Sequence, residues 1–326
     1  MNNTVANSWH HGELTAQKRV GTEQRMAEVG PKFIRELMPQ QHRDFFESLT
    51  MMFIGYTNFQ SQTCASVLFG DPGFVSSPDP SELVINLQYS IGDFTNQSVN
   101  IGDRMGLLGL EFHSKRRNRI NVIVTDINQK NMTVKVLQSF GNCPKYIQPK
   151  IWIFNPEYQR SPSITEVALS TKISIDKTIK QVITNADTFF IASCFDDGKR
   201  LNNRGTDISH RGGDAGFVEV NESGQLLVED YYGNGFFNTI GNLLLNPIAS
   251  LLFFDTQLGH AIQLTVSAEI GWNDDQDDDQ DYDANKQNNS LNDTKNDKSD
   301  VNQVRTLCFT PIKIEHYQNG FAYLQK

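Results

Sequence analysis

The chain carries the same passage twice, and no other feature constrains its fold as tightly. In the first half, the apolar run Met51–Tyr56 (MMFIGY) is followed by Cys64–Phe74 (CASVLFGDPGF) and the strand-like Leu83–Leu87 (LVINL). In the second half, Thr188–Phe195 (TFFIASCF) is followed by Ile208–Phe217 (ISHRGGDAGF) and Leu226–Gly235 (LLVEDYYGNG). GDPGF at Gly70–Phe74 and GDAGF at Gly213–Phe217 fall at the same place in each passage. Each passage continues into a helix-like stretch and a further buried strand, through Asp103–Phe112 in one and Asn242–Phe254 in the other. A repeat longer than ~100 residues is a duplicated domain rather than a solenoid period. Two small barrels in one chain can reproduce the symmetry of a dimer, and the groove between them is a natural place for a ligand.

The length of 326 residues accommodates two domains of ordinary size. No apolar run reaches the ~18 residues of a membrane span. The polar start MNNTVANSWHHGEL lacks the basic-then-apolar order of a signal peptide, so a cytoplasmic protein is expected. The four cysteines, Cys64, Cys143, Cys194 and Cys308, form no CxxC pair, so neither a zinc site nor a disulfide framework is indicated. The net charge of −9 is concentrated in residues 273–303, where ten Asp face three Lys; this leaves −2 for the rest. A nearly neutral folded part gives no reason to expect nucleic acid.

The expected organisation is a helical segment over 1–50, a first barrel unit over 51–140, a connector over 141–187 and a second unit over 188–326. Pro31 is expected to open a second helical segment, PKFIRELM. In the connector, the apolar spacing of ITEVALSTKISIDKTIKQVITNA fits helix better than strand. The acidic run is too polar to bury a core and reads as a disordered hairpin insertion whose deletion should leave the fold intact. The fold class is mainly β with flanking helices.

Four passages carry candidate chemistry. Ile208–Gly213 (ISHRGG) ends a strand with a cation and two glycines, so backbone N–H groups and Arg211 can approach an anion; an ordinary turn with a solvated Arg is the plainer reading. In Asp230–Pro247, Asn234, Asn238 and Asn242 recur every four residues. A helix from Gly235 on would align them on one face, with Asn234 at or near the N-cap. Its N-terminus would suit a phosphate or a polar ring edge. In Lys115–Asn121 (KRRNRIN), strand alternation places Arg117 and Arg119 on one face and Arg116 and Asn118 on the other. A charged edge strand is the alternative. In Gly141–Gln148 (GNCPKYIQ), Cys143 lacks a nearby His, so a structural or ligand-contacting loop is preferred to a nucleophile. His10–His11 lacks a matching ligand cluster. The alternating acids Asp277–Asp283 lack the glycine and closing Glu of a calcium loop.

The order SHRGGDAGF, LLVEDYYGNGFFNTIGNLLLNP, IASLLFFD resembles the FMN-binding split-barrel proteins related to pyridoxamine 5'-phosphate oxidase. GELTAQKR, FGDPGFVSSPDP, LLGLEFHSKRRNRIN and QSFGNCPKYIQ make the first half similar to the double-length subfamily. The resemblance implies two tandem split β-barrel units forming an intrachain pseudo-dimer, with FMN in the groove between them and a flavin-dependent oxidoreductase activity. It maps the phosphate strand end onto His210, Arg211 and Gly212, and the polar turn and helix start onto Asn234 and Asn238, with Asn242 continuing the row. Arg117, with Arg119 beside it, would reach across from the first unit. The oxidase's second basic residue and its C-terminal Arg and His have no clear counterparts here, which argues against pyridoxamine phosphate as substrate. The first unit has Phe69-Gly70-Asp71-Pro72 where the second has His210-Arg211-Gly212-Gly213, so one FMN per chain is expected. A small-molecule redox substrate and an electron donor would be the partners, with no nucleic acid, no membrane and a homodimer as an option. The alternatives are a non-catalytic flavin- or haem-binding module, which for haem would need a ligand such as His210 or His113, and an inert interaction scaffold.

Overall fold

A computed structural model describes residues 8–87, 89–91, 94, 98–154, 163–168, 175–272, 305–318, 321 and 323–326. The acidic run 273–303 lies outside them. Two helices lead in, α1 (His11–Arg19) and α2 (Glu23–Phe33). His10 caps α1: its Nδ1 accepts from Gly12 N at 3.1 Å, and the Glu13 carboxyl accepts from His10 N at 2.8 Å. Pro31 does not open a helix. It sits in the last turn of α2, and the chain then extends so that Arg35 bridges to Ser139.

The first unit comprises α3 (Gln40–Ser48), β1 (Met51–Thr57), β2 (Thr63–Phe69), β3 (Val75–Ser76), β4 (Glu82–Asn86), β5 (Tyr89–Ser90), β6 (Arg104–Glu111), β7 (Arg116–Ile127) and β8 (Asn131–Gly141). Next come β9 (Trp152–Phe154) and β10 (Ser163–Ala168). The second unit comprises α4 (Lys177–Asn185), β11 (Thr188–Phe195), β12 (Gly205–Gly212), β13 (Val218–Val220), β14 (Leu226–Asp230), α5 (Asn238–Leu245), β15 (Ile248–Asp255), β16 (His260–Gly271), β17 (Arg305–Gln318) and β18 (Tyr323–Gln325). The connector therefore differs from the sequence expectation. Its first part is a strand, β10, paired antiparallel with β17, and helix begins only at Lys177, where Asp176 caps it. The β-branched residues of ITEVA suit either state, and the pairing partner on β17 decides.

The two sheets have one topology. The first runs β3-β4-β8-β7-β6-β1-β2, with β5 added at the end, and the second runs β13-β14-β17-β16-β15-β11-β12. The duplication extends to details. Gly70 N and Gly213 N each donate to the residue preceding the first strand of the unit, Thr50 O and Asp187 O, both at 3.1 Å. Gly73 and Gly216 take φ of +90° and +93°, a left-handed turn that glycine adopts without a Cβ clash. Both long hairpins carry a register shift at the same point, Asn121/Val122 and Thr265/Val266. The fold is mainly β with flanking helices, as two tandem units of one sheet topology.

Each unit has its own core, with Ile54, Leu107, Ile120 and Val134 in the first and Ile191, Leu251, Leu264 and Phe309 in the second. A third core lies between them and draws on both. At its centre Phe53 stacks on Phe190, with centroids 3.5 Å apart and planes 12° apart. These are the third residues of β1 and β11. Contact between equivalent residues is the mark of a two-fold interface, here within one chain. Gly55 and Gly106 allow the close approach. A Cβ on Gly55 would lie 2.8 Å from Asp207 O, and one on Gly106 would lie 2.7 Å from Ile208 N.

At the ends of β16 and β17, Gly271 is the cross-strand partner of Thr306. A tight turn can therefore close the hairpin. Replacing 273–304 by an Asn-Gly turn is expected to change the unfolding free energy by less than about 0.5 kcal/mol, as judged by urea titration. Among the described residues, no helix is long and apolar enough to cross a membrane.

Candidate functional site

A cavity of about 270 Å³ opens between the units, near the lower end of small-molecule sites. Strand β7 sends in Arg117 and Arg119, on one face as alternation predicts. It pairs on both sides, with β6 and β8, so it is not an edge strand. Strand β12 contributes Ser209, His210, Arg211 and Gly212; α5 contributes Asn238 and Thr239. Asp230 closes β14 and Arg305 opens β17. The loops at the mouth meet across the interface. Tyr146 stacks on Tyr231 at 5.1 Å and donates to Tyr232 O at 3.2 Å, and Asn234 Nδ2 donates to Asn142 Oδ1 at 3.1 Å. Gly212 makes room for this: a Cβ there would collide with the Tyr146 carbonyl and lie 2.8 Å from the His210 ring.

The cations are unequally balanced. Arg119 is ion-paired with Asp207, and its Nη1 donates to Ser209 Oγ at 3.0 Å. Arg305 holds Asp230 through Nε at 3.1 Å and Nη2 at 2.9 Å, and Arg211 shares that carboxylate at 3.4 Å. Arg117 differs. It donates to His210 Nδ1 at 3.1 Å and to Cys143 O at 2.6 Å, and no carboxylate pairs with it among the described residues. Burial first, and then the nearby Arg211 charge, push its pKa down to about 10. Burial, with Arg117 next, holds the His210 pKa well below the ordinary histidine value, so the ring is neutral and its Nδ1 accepts. Arg117 Nε, Arg119 Nε and Arg211 Nε are buried donors without a hydrogen-bond partner. A buried, unpaired cation with free donors is costly unless an anion completes it.

Of the sequence-predicted residues, His210, Arg211, Gly212, Asn234, Asn238, Arg117 and Arg119 line this cavity, and Asn242 does not. The Asn242 amide is used inside, on Asp207 Oδ2 at 2.8 Å, Ser193 Oγ at 3.1 Å and His10 Nε2 at 3.0 Å. The expected helix from Gly235 starts later, at Asn238, because Phe237 is left-handed with φ +62°. Asn234 is therefore not its N-cap, and it caps a local turn by accepting from Phe236 N at 3.0 Å. Cys143 contributes its carbonyl to Arg117. Sequence reasoning did not identify Asp207, Asp230, Arg305, Ser209 or Thr239, nor Glu13 beneath the cavity. Ser209, Asp230, Thr239 and Glu13 lie inside passages that the sequence singled out for other residues, while Asp207 and Arg305 lie in none.

The groove related to this one by the internal two-fold is not a copy. The strand registers equate Arg117 with Ala261, Arg119 with Gln263, His210 with Val67 and Arg211 with Leu68, so Phe69 and Gly70 are the counterparts of Gly212 and Gly213, two residues away from the sequence expectation that set them against His210 and Arg211. There Phe254 and Phe321 stack at 4.1 Å, with Trp152 5.0 Å and Phe69 5.8 Å from Phe321. Apolar rings fill the space that the cations line on the other side.

Beneath the cavity, burial and then the Asp207 charge raise the Glu13 pKa to about 8, while burial lowers that of His10 to about 4. The unfolded chain ionises Glu13 near its ordinary value of 4.5, so the stability it contributes at low pH is lost as pH rises toward 8. His10 acts in the opposite sense: its contribution is present above 6.5 and is lost as pH falls through 4. Between 6.5 and 8 only the Glu13 slope operates within this pair. Unfolding free energy from urea titrations is expected to fall there by up to about 1.4 kcal/mol per pH unit, and Glu13→Gln is expected to remove that slope.

No protein-family model matches the sequence, and no curated protein matches it. Among solved structures, a variant of HupZ from Group A Streptococcus aligns with 43% of this chain and 98% of its own, at 10% identity and a TM-score of 0.27. General Stress Protein 26 from Bacillus anthracis str. Sterne aligns with 44% of this chain and 93% of its own, at 15% identity and a TM-score of 0.26. Likenesses this distant decide nothing about a ligand, and the chemistry of the cavity rests on its own residues.

Proposed function

We propose that the cavity binds FMN through its phosphate and that the protein is a flavin-dependent oxidoreductase acting on a small molecule. The observation that carries this reading is Arg117: a half-buried guanidinium with an enclosed, unused Nε, 3.1 Å from a neutral imidazole and with no carboxylate partner among the described residues. Arg211 Nε and Arg119 Nε add free donors to the same space. This donor set fits a phosphate, whose oxygens accept several charge-assisted hydrogen bonds at once. Arg117, Arg119 and Arg211 would hold the phosphate, and Gly212 would let the strand end approach it. The choice of FMN over other phosphates rests on the sequence resemblance. When bound, the flavin supplies the redox chemistry, and the protein binds and orients it. A haem reading has less support: His113 is exposed and pairs with Glu111, while His210 turns Nδ1 to Arg117.

The test is an absorbance spectrum of the purified chain before and after FMN is added and the excess removed. Retained bands near about 370 and about 450 nm, at one flavin per chain, support the reading. Two flavins per chain would contradict the single site, and no retained flavin would overturn the FMN assignment.

A further inference from the structure

Six buried residues from four segments close a ring of hydrogen bonds and one ion pair under the cavity floor. His10 Nε2 donates to Asn242 Oδ1 at 3.0 Å, and Asn242 Nδ2 donates to Asp207 Oδ2 at 2.8 Å. The other oxygen of Asp207 pairs with Arg119 Nη2. Arg119 Nη1 reaches Asn238 Oδ1 at 3.5 Å, and Asn238 Nδ2 donates to Glu13 Oε1. Glu13 Oε2 accepts from His10 N at 2.8 Å and completes the circuit. All six are buried, and Arg119 and Asn238 also line the cavity. A helix cap explains one oxygen of Glu13. It does not explain the second, which meets a residue of the cavity wall.

We propose that Glu13 is a positioning residue of the cavity, and that anion binding there is coupled to proton uptake by Glu13 through the Asn238 carboxamide. The inference rests on the reading of the cavity as a phosphate site. Oε2 faces a fixed backbone donor, so a neutral Glu13 carries its proton on Oε1. That O–H requires an acceptor, and the group it faces is Asn238. The carboxamide then turns its oxygen to Glu13 and its NH2 toward Arg119 and the cavity. In the ionised state the amide has the orientation of the structure, giving Nδ2 to Glu13 and Oδ1 to Arg119. The neutral state therefore frees Arg119 Nη1 from Asn238, adds an N–H donor at the wall and removes a negative charge below it. All three changes favour an anion. Linkage requires the reverse effect, that a bound anion favours the proton on Glu13.

The charged and titratable groups around Glu13 are Asp207 on β12, Arg119 on β7 and His10 at its own helix cap. Burial and Asp207 bring Glu13 to about 8, within reach of ordinary buffers, while His10 lies near 4. A phosphate monoester has its own second ionisation near about 6, below that window.

The experiment is calorimetric titration of the whole chain with FMN near pH 7, 8 and 9, in buffers of two ionisation enthalpies, in a Cys143→Ser background that removes the cavity thiol. Binding is expected to take up a proton around pH 8, and affinity to fall by up to about tenfold per pH unit above it. In Glu13→Gln the amide copies the neutral acid, so binding should show no proton uptake and a flat profile from about pH 7 to 9. No uptake by the unaltered chain, or the same slope in Glu13→Gln, would overturn the proposal. If FMN does not bind, phenyl phosphate, a monoester with its second ionisation near about 6, takes its place, so failure of the flavin reading and failure of the coupling are read separately. If Glu13→Gln does not fold, proton uptake by the unaltered residue decides.

Discussion

Arg117→Met is expected to stabilise the ligand-free chain while weakening FMN binding by about tenfold to more than a hundredfold. The two effects have one cause. The guanidinium is half-buried beside a neutral imidazole and a backbone carbonyl, with no carboxylate among the described residues. Its pKa of about 10, against an ordinary 12.5, corresponds to a folding penalty of roughly 3 kcal/mol. Methionine keeps much of the packing volume and removes the charge, though it leaves His210 Nδ1 without its donor. The net gain in unfolding free energy should be about 1–2 kcal/mol. Losing charge-assisted bonds to a phosphate costs about 1.5–3 kcal/mol of affinity. Arg211 has Asp230 beside it, so Arg211→Met should not stabilise the free chain. Thermal unfolding with and without FMN, together with a binding isotherm, measures both effects. A destabilised, tightly binding Arg117→Met chain would show that the cation is structural and that the phosphate assignment is wrong.

Gly12→Ala is expected to destabilise the chain by about 3 kcal/mol or more. Helices α1 and α5 cross at two glycines. A Cβ on Gly12 would fall on the Gly241 carbonyl and lie 2.8 Å from Leu245 Cδ1, and one on Gly241 would lie 2.6 Å from Glu13 N. The obstructing atoms include backbone on both sides, so a change of rotamer cannot relieve the clash, and the helices must move apart. Glu13 is on one helix and Asn238 on the other, so the same movement opens the ring under the cavity. Gly241→Ala should behave alike. The double variant should cost less than the sum of the singles, because the first substitution already separates the helices. Gly233, with open space at its Cβ position, is the control, expected to change by less than about 0.5 kcal/mol on substitution by Ala. Urea unfolding of the four variants tests this, and a cost below about 1 kcal/mol for Gly12→Ala would contradict the tight crossing.

Much of the architecture was legible because it is encoded locally. The strands β1, β2, β4, β6, β7 and β8 follow from alternating or continuous apolar runs between turn residues. The GDPGF and GDAGF turns require a glycine at their fourth position, where φ is near +90° in both. That Arg117 and Arg119 enter one cavity follows from the two-residue period of a strand. The errors occurred where a local pattern permits two outcomes. ITEVA became a strand because β17 offered it a partner. The row Asn234, Asn238, Asn242 was broken because Phe237 turns left-handed before α5. Asn242 then points into the ring with Asp207 rather than toward the cavity.

The sequence by itself determined that there are two units, where their strands and hairpin turns fall, and that one unit lacks the cationic strand end. These are properties of patterns about ten residues long, which turn chemistry and side-chain period specify without reference to distant parts of the chain. The tertiary structure decided which charges are balanced. Asp230 meets Arg305 across 75 positions and Glu13 meets Asn238 across 225, while Arg117 meets no carboxylate among the described residues. It also decided that the second groove of the pseudo-dimer is filled by Phe254, Phe321 and Trp152. Charge balance and cavity filling depend on which residues packing brings within a few ångströms of one another. Only the folded chain brings them together.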